Sequence, residues 1–458
     1  MVSANPNYAV TVIGGDFVIT ARPITVTAST GQTKVYGDAD GALAYTVSTG
    51  TLASFGGVTD ILVGALARAT GNNVGNNYAI NAGSLTNTSN PNYDITFVGS
   101  DYQTTARPIA LSAPVINKVY DGGYTYDLTA ADLSIMNQQL VGSDTFNTVK
   151  AVFSGNSPNV GTGKTIEIDT ASVSISDGNS GRNYSVSSVN SVGNITPASL
   201  TVRAANDARF AVELADTAGY AGALYSGFVN GETIANLPSA NRTLQITRSD
   251  ASNSTVGTYK LTPSGHGAQG ELVGNYELNY VNGEYKILGP QDLLIRASAV
   301  TNYGTTATYS FTAKYVDANG GVIAFIGTNG LGVSSTAVTL TSSGSTAFTL
   351  NDGLGGTLTT AFAPLFTSLS ASDNINAGQY SVSNTENPVK TGFANLTVVG
   401  SLTVEPLVIT VPTLSPTAVS KVYDGNTAVL GEVVNITPIT SQILDGDLVG
   451  LSVVGFYD

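Results

Sequence analysis

The sequence predicts an all-β fold, a tandem array of small β-rich domains forming an elongated rod with at most one short helix per unit. Three observations lead there: composition, internal repetition and alternation of buried and polar residue types. Charged residues are 11% of the 458-residue chain, against about 25% in ordinary soluble domains. Gly, Ser, Thr and Asn supply the polarity instead, while β-branched and aromatic residues suited to a pleated surface are spread throughout. Hydrophobic content of 42% gives enough apolar area to bury, which argues against disorder.

Repetition sets the domain plan. Residues 5–26 and 90–111 align without gaps and are identical at 12 of 22 positions. A proline opens a strand at Pro23, Pro108, Pro197, Pro290 and Pro406, at spacings of 85, 89, 93 and 116 residues. An aromatic follows each: Tyr36-Gly37, Tyr120-Asp121-Gly122, Phe210, Tyr303-Gly304 and Tyr423-Asp424-Gly425. A further motif falls late in each full unit, at Val74-Gly75, Val160-Gly161, Val256-Gly257 and Ala377-Gly378. The chain therefore divides into a repeat tail (1–22), four full units (23–107, 108–196, 197–289, 290–405) and a truncated unit (406–458). Both ends are expected to be cuts through a longer protein.

Each element follows from local pattern. After Pro23, the residues Ile24, Val26 and Ala28 alternate with polar ones, giving a strand with one buried face. Proline fixes φ and donates no hydrogen bond, which confines it to strand starts and junctions; a one-residue joint containing it is stiff. Tyr276, Leu278 and Tyr280 alternate, Asn282-Gly283 intervenes, and Tyr285 and Ile287 alternate again. Asn-Gly between two such runs predicts a hairpin with a type I′ turn, and Gly14-Gly15 and Gly99-Ser100 predict the same in the first two copies. Thr129 to Leu140 predicts a helix: Thr129 caps it, Asp132 closes a capping box, and Leu133, Met136 and Leu140 share a face.

The signatures Lys34-Val35-Tyr36-Gly37-Asp38, Lys118-Val119-Tyr120-Asp121-Gly122 and Lys421-Val422-Tyr423-Asp424-Gly425 resemble MBG-type repeats, in their YGX and YDG varieties. Such repeats occur in large bacterial adhesins similar to filamentous haemagglutinin. Units 23–107 and 108–196 and the fragment from Pro406 carry the resemblance most strongly. Unit 197–289 replaces the tyrosine with Phe210, and unit 290–405 carries an insertion of about 25 residues relative to the other units. The resemblance implies β-rich modules related to the β-grasp, export across a Gram-negative envelope, and a place on the cell surface or outside the cell. The absence of cysteine agrees with such a surface protein. It implies no catalytic residues, and a structural role for the signature, its turn made by Asp-Gly or Gly-Asp with the tyrosine packed beneath.

Other chemistries find little footing. A net charge of −14 argues against nucleic acid and anionic membrane surfaces, and no apolar run reaches the ~18 residues of a membrane span. The one histidine, His266, sits among glycines and is expected to be a solvated loop residue rather than part of a Ser–His–acid triad. Asp38 with Asp40, and Asp445 with Asp447, are expected to form turns rather than bind calcium. Glu213, Glu232, Glu271 and Glu284 gather loosely in one unit without a sign of paired-carboxylate chemistry. The tyrosines are expected in the core, and the signature lysines solvated at strand edges. No enzyme, cofactor or metal is expected. The leading expectation is a structural stalk whose partners are neighbouring repeats. The alternative is a ligand-binding module for host glycan or protein, placed in unit 290–405, where the insertion around Thr328–Thr367 is rich in Gly, Thr and Phe.

Overall fold

A computed structural model describes residues 7–11, 13–213, 215–328, 330–334, 336–365, 367–385, 388–410, 442–444 and 447. About 48% of the chain is strand and 5% helix, so the fold is all-β. Two compact units make it up, one of Met1–Pro114, Tyr126–Val152 and Glu167–Ser191, the other of Val115–Thr125, Phe153–Ile166 and Val192–Asp458. Both draw strands from the repeat 108–196.

In the first unit, the opening strand Arg22–Ala28 buries Ile24, Val26 and Ala28, as alternation requires. It pairs antiparallel with Tyr45–Thr49 and parallel with Tyr93–Val98. The chain then turns at Gly31 and enters a second sheet as Gln32–Val35, parallel to Ser100–Thr105; Asn77–Asn81 and Ala67–Arg68 complete that sheet. Ile24 and Val26 from one sheet meet Tyr78, Ile80 and Tyr102 from the other in one core. Two facing sheets of this kind are a sandwich. The β-grasp implied by resemblance needs a helix across a sheet, and this repeat has none among its described residues.

Arg107–Ser112 lies parallel to Tyr184–Val189 in the same unit. The helix is Ala130–Met136, continued by a 3-10 turn over Asn137–Gln139. Thr129 caps it, and the Thr129 and Asp132 side chains bond reciprocally to each other's backbone amides. Met136 is its buried residue.

The second unit repeats the plan. Asn117–Val119 runs parallel to Ser191–Thr196. In the third repeat Ala198–Ala204 runs parallel to Tyr276–Val281 in one sheet, and Asp207–Phe210 to Gly283–Leu288 in another. In the fourth, Leu293–Asn302 and Leu396–Glu405 pair in parallel without interruption from Leu293↔Leu396 to Asn302↔Glu405. Its insertion supplies the second sheet, with Gly330–Leu331, Phe348–Asn351 and Thr357–Thr360 beside Val389–Thr391. Phe348 and Phe362 pack on Phe311 in the core, with ring centroids 4.7 to 5.1 Å apart. Phe348 and Phe362 of the insertion are thus committed to the interior.

One expectation is overturned. Tyr93–Val98 and Ser100–Thr105 are not a hairpin, nor are Tyr276–Val281 and Gly283–Leu288; each pair lies in two different sheets. The closing arm of the repeat passes from one sheet to the other at Gly99 and at Asn282-Gly283. Glycine is required there for close approach: a Cβ on Gly99 would stand 2.7 Å from the Ile80 carbonyl oxygen, and one on Gly283 2.4 Å from that of Ala204. Around Gly14-Gly15 the described residues form no strand.

Candidate functional site

The seam between the first two repeats lies within the first unit and is built around Tyr36. The Tyr36 amide donates to the Thr105 carbonyl at 2.9 Å, which fixes it at the end of its strand. Gly37, at φ +84°, turns the chain immediately afterwards. The ring reaches the next repeat, where its hydroxyl donates to Asp144 Oδ2 at 3.0 Å. Tyr184 donates to the same oxygen at 2.6 Å and accepts from the Val141 amide at 2.7 Å. The two rings meet edge to face with centroids 5.4 Å apart, an arrangement favoured by the ring quadrupole.

Two further contacts lock the seam. The Val74 amide donates to Asn183 Oδ1 at 2.9 Å, so the Val-Gly motif holds the asparagine that precedes Tyr184. Arg107 Nη1 donates to the Tyr36 carbonyl at 3.0 Å and to Asp38 Oδ1 at 2.9 Å. A Cβ on Gly37 would stand 2.5 Å from Val141 Cγ2. The signature glycine is therefore required twice, by its φ and by the side chain pressed on it.

The second seam, within the second unit, repeats this constellation with other residues. The Tyr120 amide donates to the Thr196 carbonyl at 2.8 Å, and its hydroxyl donates to Glu232 Oε1 at 2.6 Å. Tyr276 donates to Glu232 Oε2 and accepts from the Val229 amide. The rings of Tyr120 and Tyr276 are 5.6 Å apart, edge to face. The Val160 amide donates to Asn275 Oδ1 at 3.0 Å, and a Cβ on Gly122 would meet Asn230 at 3.0 Å. Burial raises all four phenols, and the hydrogen bond to the carboxylate raises them further. They remain protonated donors at neutral pH.

Tyr303 donates to Asp447 and lies beside Ser370 and Ser372, while a Cβ on Gly304 would collide with Leu444. Tyr423, Asp424 and Gly425 fall outside the described residues. At the seam of the third and fourth repeats Phe210 has no hydroxyl to offer. It packs with Leu288, Leu294, Val316 and Val399, and Arg296 donates to Asp207 Oδ1 at 2.7 Å. Of the joint prolines, Pro23 and Pro108 are second residues of opening strands. Pro197 alone separates Ser191–Thr196 from Ala198–Ala204. Pro290 lies between Gly283–Leu288 and Leu293–Asn302, and Pro406 follows Leu396–Glu405.

The tyrosine signature thus acts at the seams, packing against the following repeat rather than merely beneath its own turn. The acids it meets were not singled out together by sequence. Gly142-Ser143-Asp144, Gly231-Glu232 and Gly446-Asp447 share a glycine just ahead of the acid, a short local signal.

Several other expectations change. His266 is fully buried, not solvated; its Nδ1 lies 2.7 Å from the Asn241 carbonyl oxygen and its Nε2 2.9 Å from the Tyr225 hydroxyl. Lys34 and Lys118 are largely covered and bind Asp40 and Asp121, each at 2.7 Å; Lys421 is outside the described residues. Asp40 also receives two hydrogen bonds from Arg68, and those bonds, followed by that from Lys34, hold its carboxyl at about 2. The glutamates act separately: Glu213 accepts from the Phe210 amide and Glu271 from that of Ala268, while Glu232 serves the seam.

The first and third repeats share an interior device. Arg68 stacks on Tyr78 and Tyr102, at 5.2 and 5.0 Å, and Arg248 on Tyr259 and Tyr285, at 4.7 and 5.2 Å. Each guanidinium binds a carboxylate, Asp40 or Asp216. Planar guanidinium suits both the stacking and the charge pairing.

Comparison with known families agrees with this pairing of the first and third repeats. Residues 24–103 and 200–286 match the model of the MBG domain (YGX type), and residues 104–191 match that of the YDG domain. The chain carries two MBG domains and one YDG domain. No curated protein matches it. Among solved structures, "Crystal structure of I9-I11 tandem from titin" shares 10% identity, covering 66% of this chain and 98% of its own, with a TM-score of 0.12. That score supports no argument. In the MBG domain at 24–103 and in the YDG domain the Tyr-Gly and Tyr-Asp-Gly turns are accordingly the parts that reach across seams.

Proposed function

We propose that the chain is a load-bearing spacer in a bacterial surface adhesin, exported to the outside of a Gram-negative cell, with neighbouring repeats as its partners and no catalytic role. The observation that carries this reading is the parallel pairing of each repeat's opening arm with its closing arm, within one sheet in the fourth repeat and across two sheets in the other three. In each full repeat the two lie side by side and parallel, so the chain enters at one end of the pair and leaves at the other. Tension applied along the chain then loads their hydrogen bonds together in shear. In the fourth repeat ten residue pairs, Leu293↔Leu396 to Asn302↔Glu405, share that load. At the first two seams a carboxylate bound by two phenols adds a link between repeats.

The ligand-binding alternative loses its main support, because the insertion of 290–405 builds a sheet and fills a core. Single-molecule pulling on the full chain tests the spacer reading. Discrete high-force unfolding events, weakened by proline substitutions at Ile295 and Val398, are expected. Extension at low force without discrete events would refute it.

A further inference from the structure

The receiving half of the seam recurs where, among the described residues, no phenol from another repeat is bound. In the first repeat Tyr93 follows Asn92, as Tyr184 follows Asn183 and Tyr276 follows Asn275. Its hydroxyl donates to Asp60 Oδ2 at 2.8 Å and accepts from the Ala53 amide at 2.9 Å. Those are the bonds that Tyr184 makes with Asp144 and Val141. Arg22 stands ahead of Pro23 as Arg107 stands ahead of Pro108. Among the described residues, no second phenol reaches Asp60.

Around this carboxylate lies an apolar surface. The short hairpin of Ser54–Phe55 and Val58–Thr59, with the residues after it, leaves Phe55, Val58, Ile61 and Val63 exposed by 94, 73, 80 and 63%. Isolated exposed apolar residues are ordinary, whereas a cluster marks an interaction site.

We propose that Asp60, Tyr93 and the hairpin at Ser54–Thr59 form a docking face for the Tyr-Gly turn of another YGX-type repeat. The incoming phenol donates to Asp60, and the incoming turn covers the hairpin. The occupant follows from continuity with the seams already closed, which use the same receiving residues for the same purpose. The acid selects the type of turn. Asp144 and Asp447 receive Tyr-Gly turns, whereas Glu232, one methylene longer, receives the Tyr-Asp-Gly turn. This inference goes beyond the spacer reading and holds whether or not the chain bears load.

The test duplicates residues 23–107 in place within the full chain, giving 1–107, then 23–107, then 108–458. Residues 20–22 and 105–107 are both Thr-Ala-Arg, so each new junction reproduces a natural one. Tyr36 of the first copy then faces Asp60 of the second. The chain has no tryptophan, so Phe55→Trp in one copy at a time gives a single reporter. In the second copy its emission is expected to move to the blue and resist acrylamide quenching, relative to the first. Tyr36→Ala in the first copy, or Asp60→Lys in the second, should return it to the exposed value. Equal emission and quenching from both copies, whatever the cause, overturns the proposal. So does a blue shift that survives both substitutions.

Discussion

Tyr36 and Tyr184 come from different repeats, yet both donate to one oxygen of Asp144 while their rings meet edge to face. Among the described residues neither hydroxyl has another acceptor, so the carboxylate couples the two repeats. A neutral hydrogen bond contributes about 1 kcal/mol net and one to a charged group somewhat more. A double-mutant cycle on Tyr36→Phe and Asp144→Ala should therefore give a coupling of ~1–2 kcal/mol. Tyr120→Phe with Asp144→Ala should give none. Hydrogen exchange at the Val141 amide, which bonds Tyr184, reads the local opening energy.

The signature glycine gives a second prediction. Gly37→Ala incurs the left-handed backbone cost of ~1–2 kcal/mol and presses a Cβ on Val141, adding ~1–3 kcal/mol. Gly56, at φ +60° with nothing near its Cβ position, incurs only the first cost when changed to alanine. Thermal unfolding of the two variants should rank them in that order. Adding Val141→Ala to Gly37→Ala should recover part of the difference.

Acid should act on the first repeat through Asp40. Its carboxyl is held at about 2 by hydrogen bonds from Arg68 and then Lys34, against an unfolded value of ~3.9. A lowered folded value means a contribution present above the unfolded value and lost as pH falls through about 2. The partial exposure of Asp40 keeps that contribution small through solvent screening. Asp40→Asn should flatten this part of the pH dependence, measured by denaturant unfolding at a series of pH values between neutrality and 2.

Within the fourth repeat, burial separates the consequences of two neighbouring substitutions. Phe348→Ala removes a ring from the cluster with Phe311 and Phe362 and should cost ~3–5 kcal/mol. Leu354→Ala, at an exposed turn, should stay within ~0.5 kcal/mol. Calorimetry of the full chain should show the first change lowering one transition and the second leaving it in place.

Much of the fold was legible in the sequence because strand alternation is local. Ile24, Val26 and Ala28 announced a one-faced strand, and Thr129 with Asp132 announced the helix start. The hairpin expectation at Asn282-Gly283 failed for a physical reason. A hairpin and a strand crossing between facing sheets show the same alternation and both need a small residue midway. Only partners such as Ala204 and Ile80, distant in sequence, distinguish them. His266 was misjudged likewise, since the Asn241 carbonyl and Tyr225 hydroxyl that permit its burial lie 25 and 41 residues away. The seam was half legible: Tyr36, Tyr120 and Tyr303 stood out by recurrence, whereas Asp144 and Glu232 are single acids in turns, paired with tyrosines 108 and 112 residues distant.

Small-angle scattering from the full chain, beside its Tyr36→Phe, Tyr120→Phe variant, addresses serial joining most directly. A compact globule of this length would have a radius of gyration of about 23 Å. On the spacer reading proposed above, the value should lie well above that, with a broader distance distribution in the variant. A radius close to the globular figure, unchanged by removal of both hydroxyls, would contradict it.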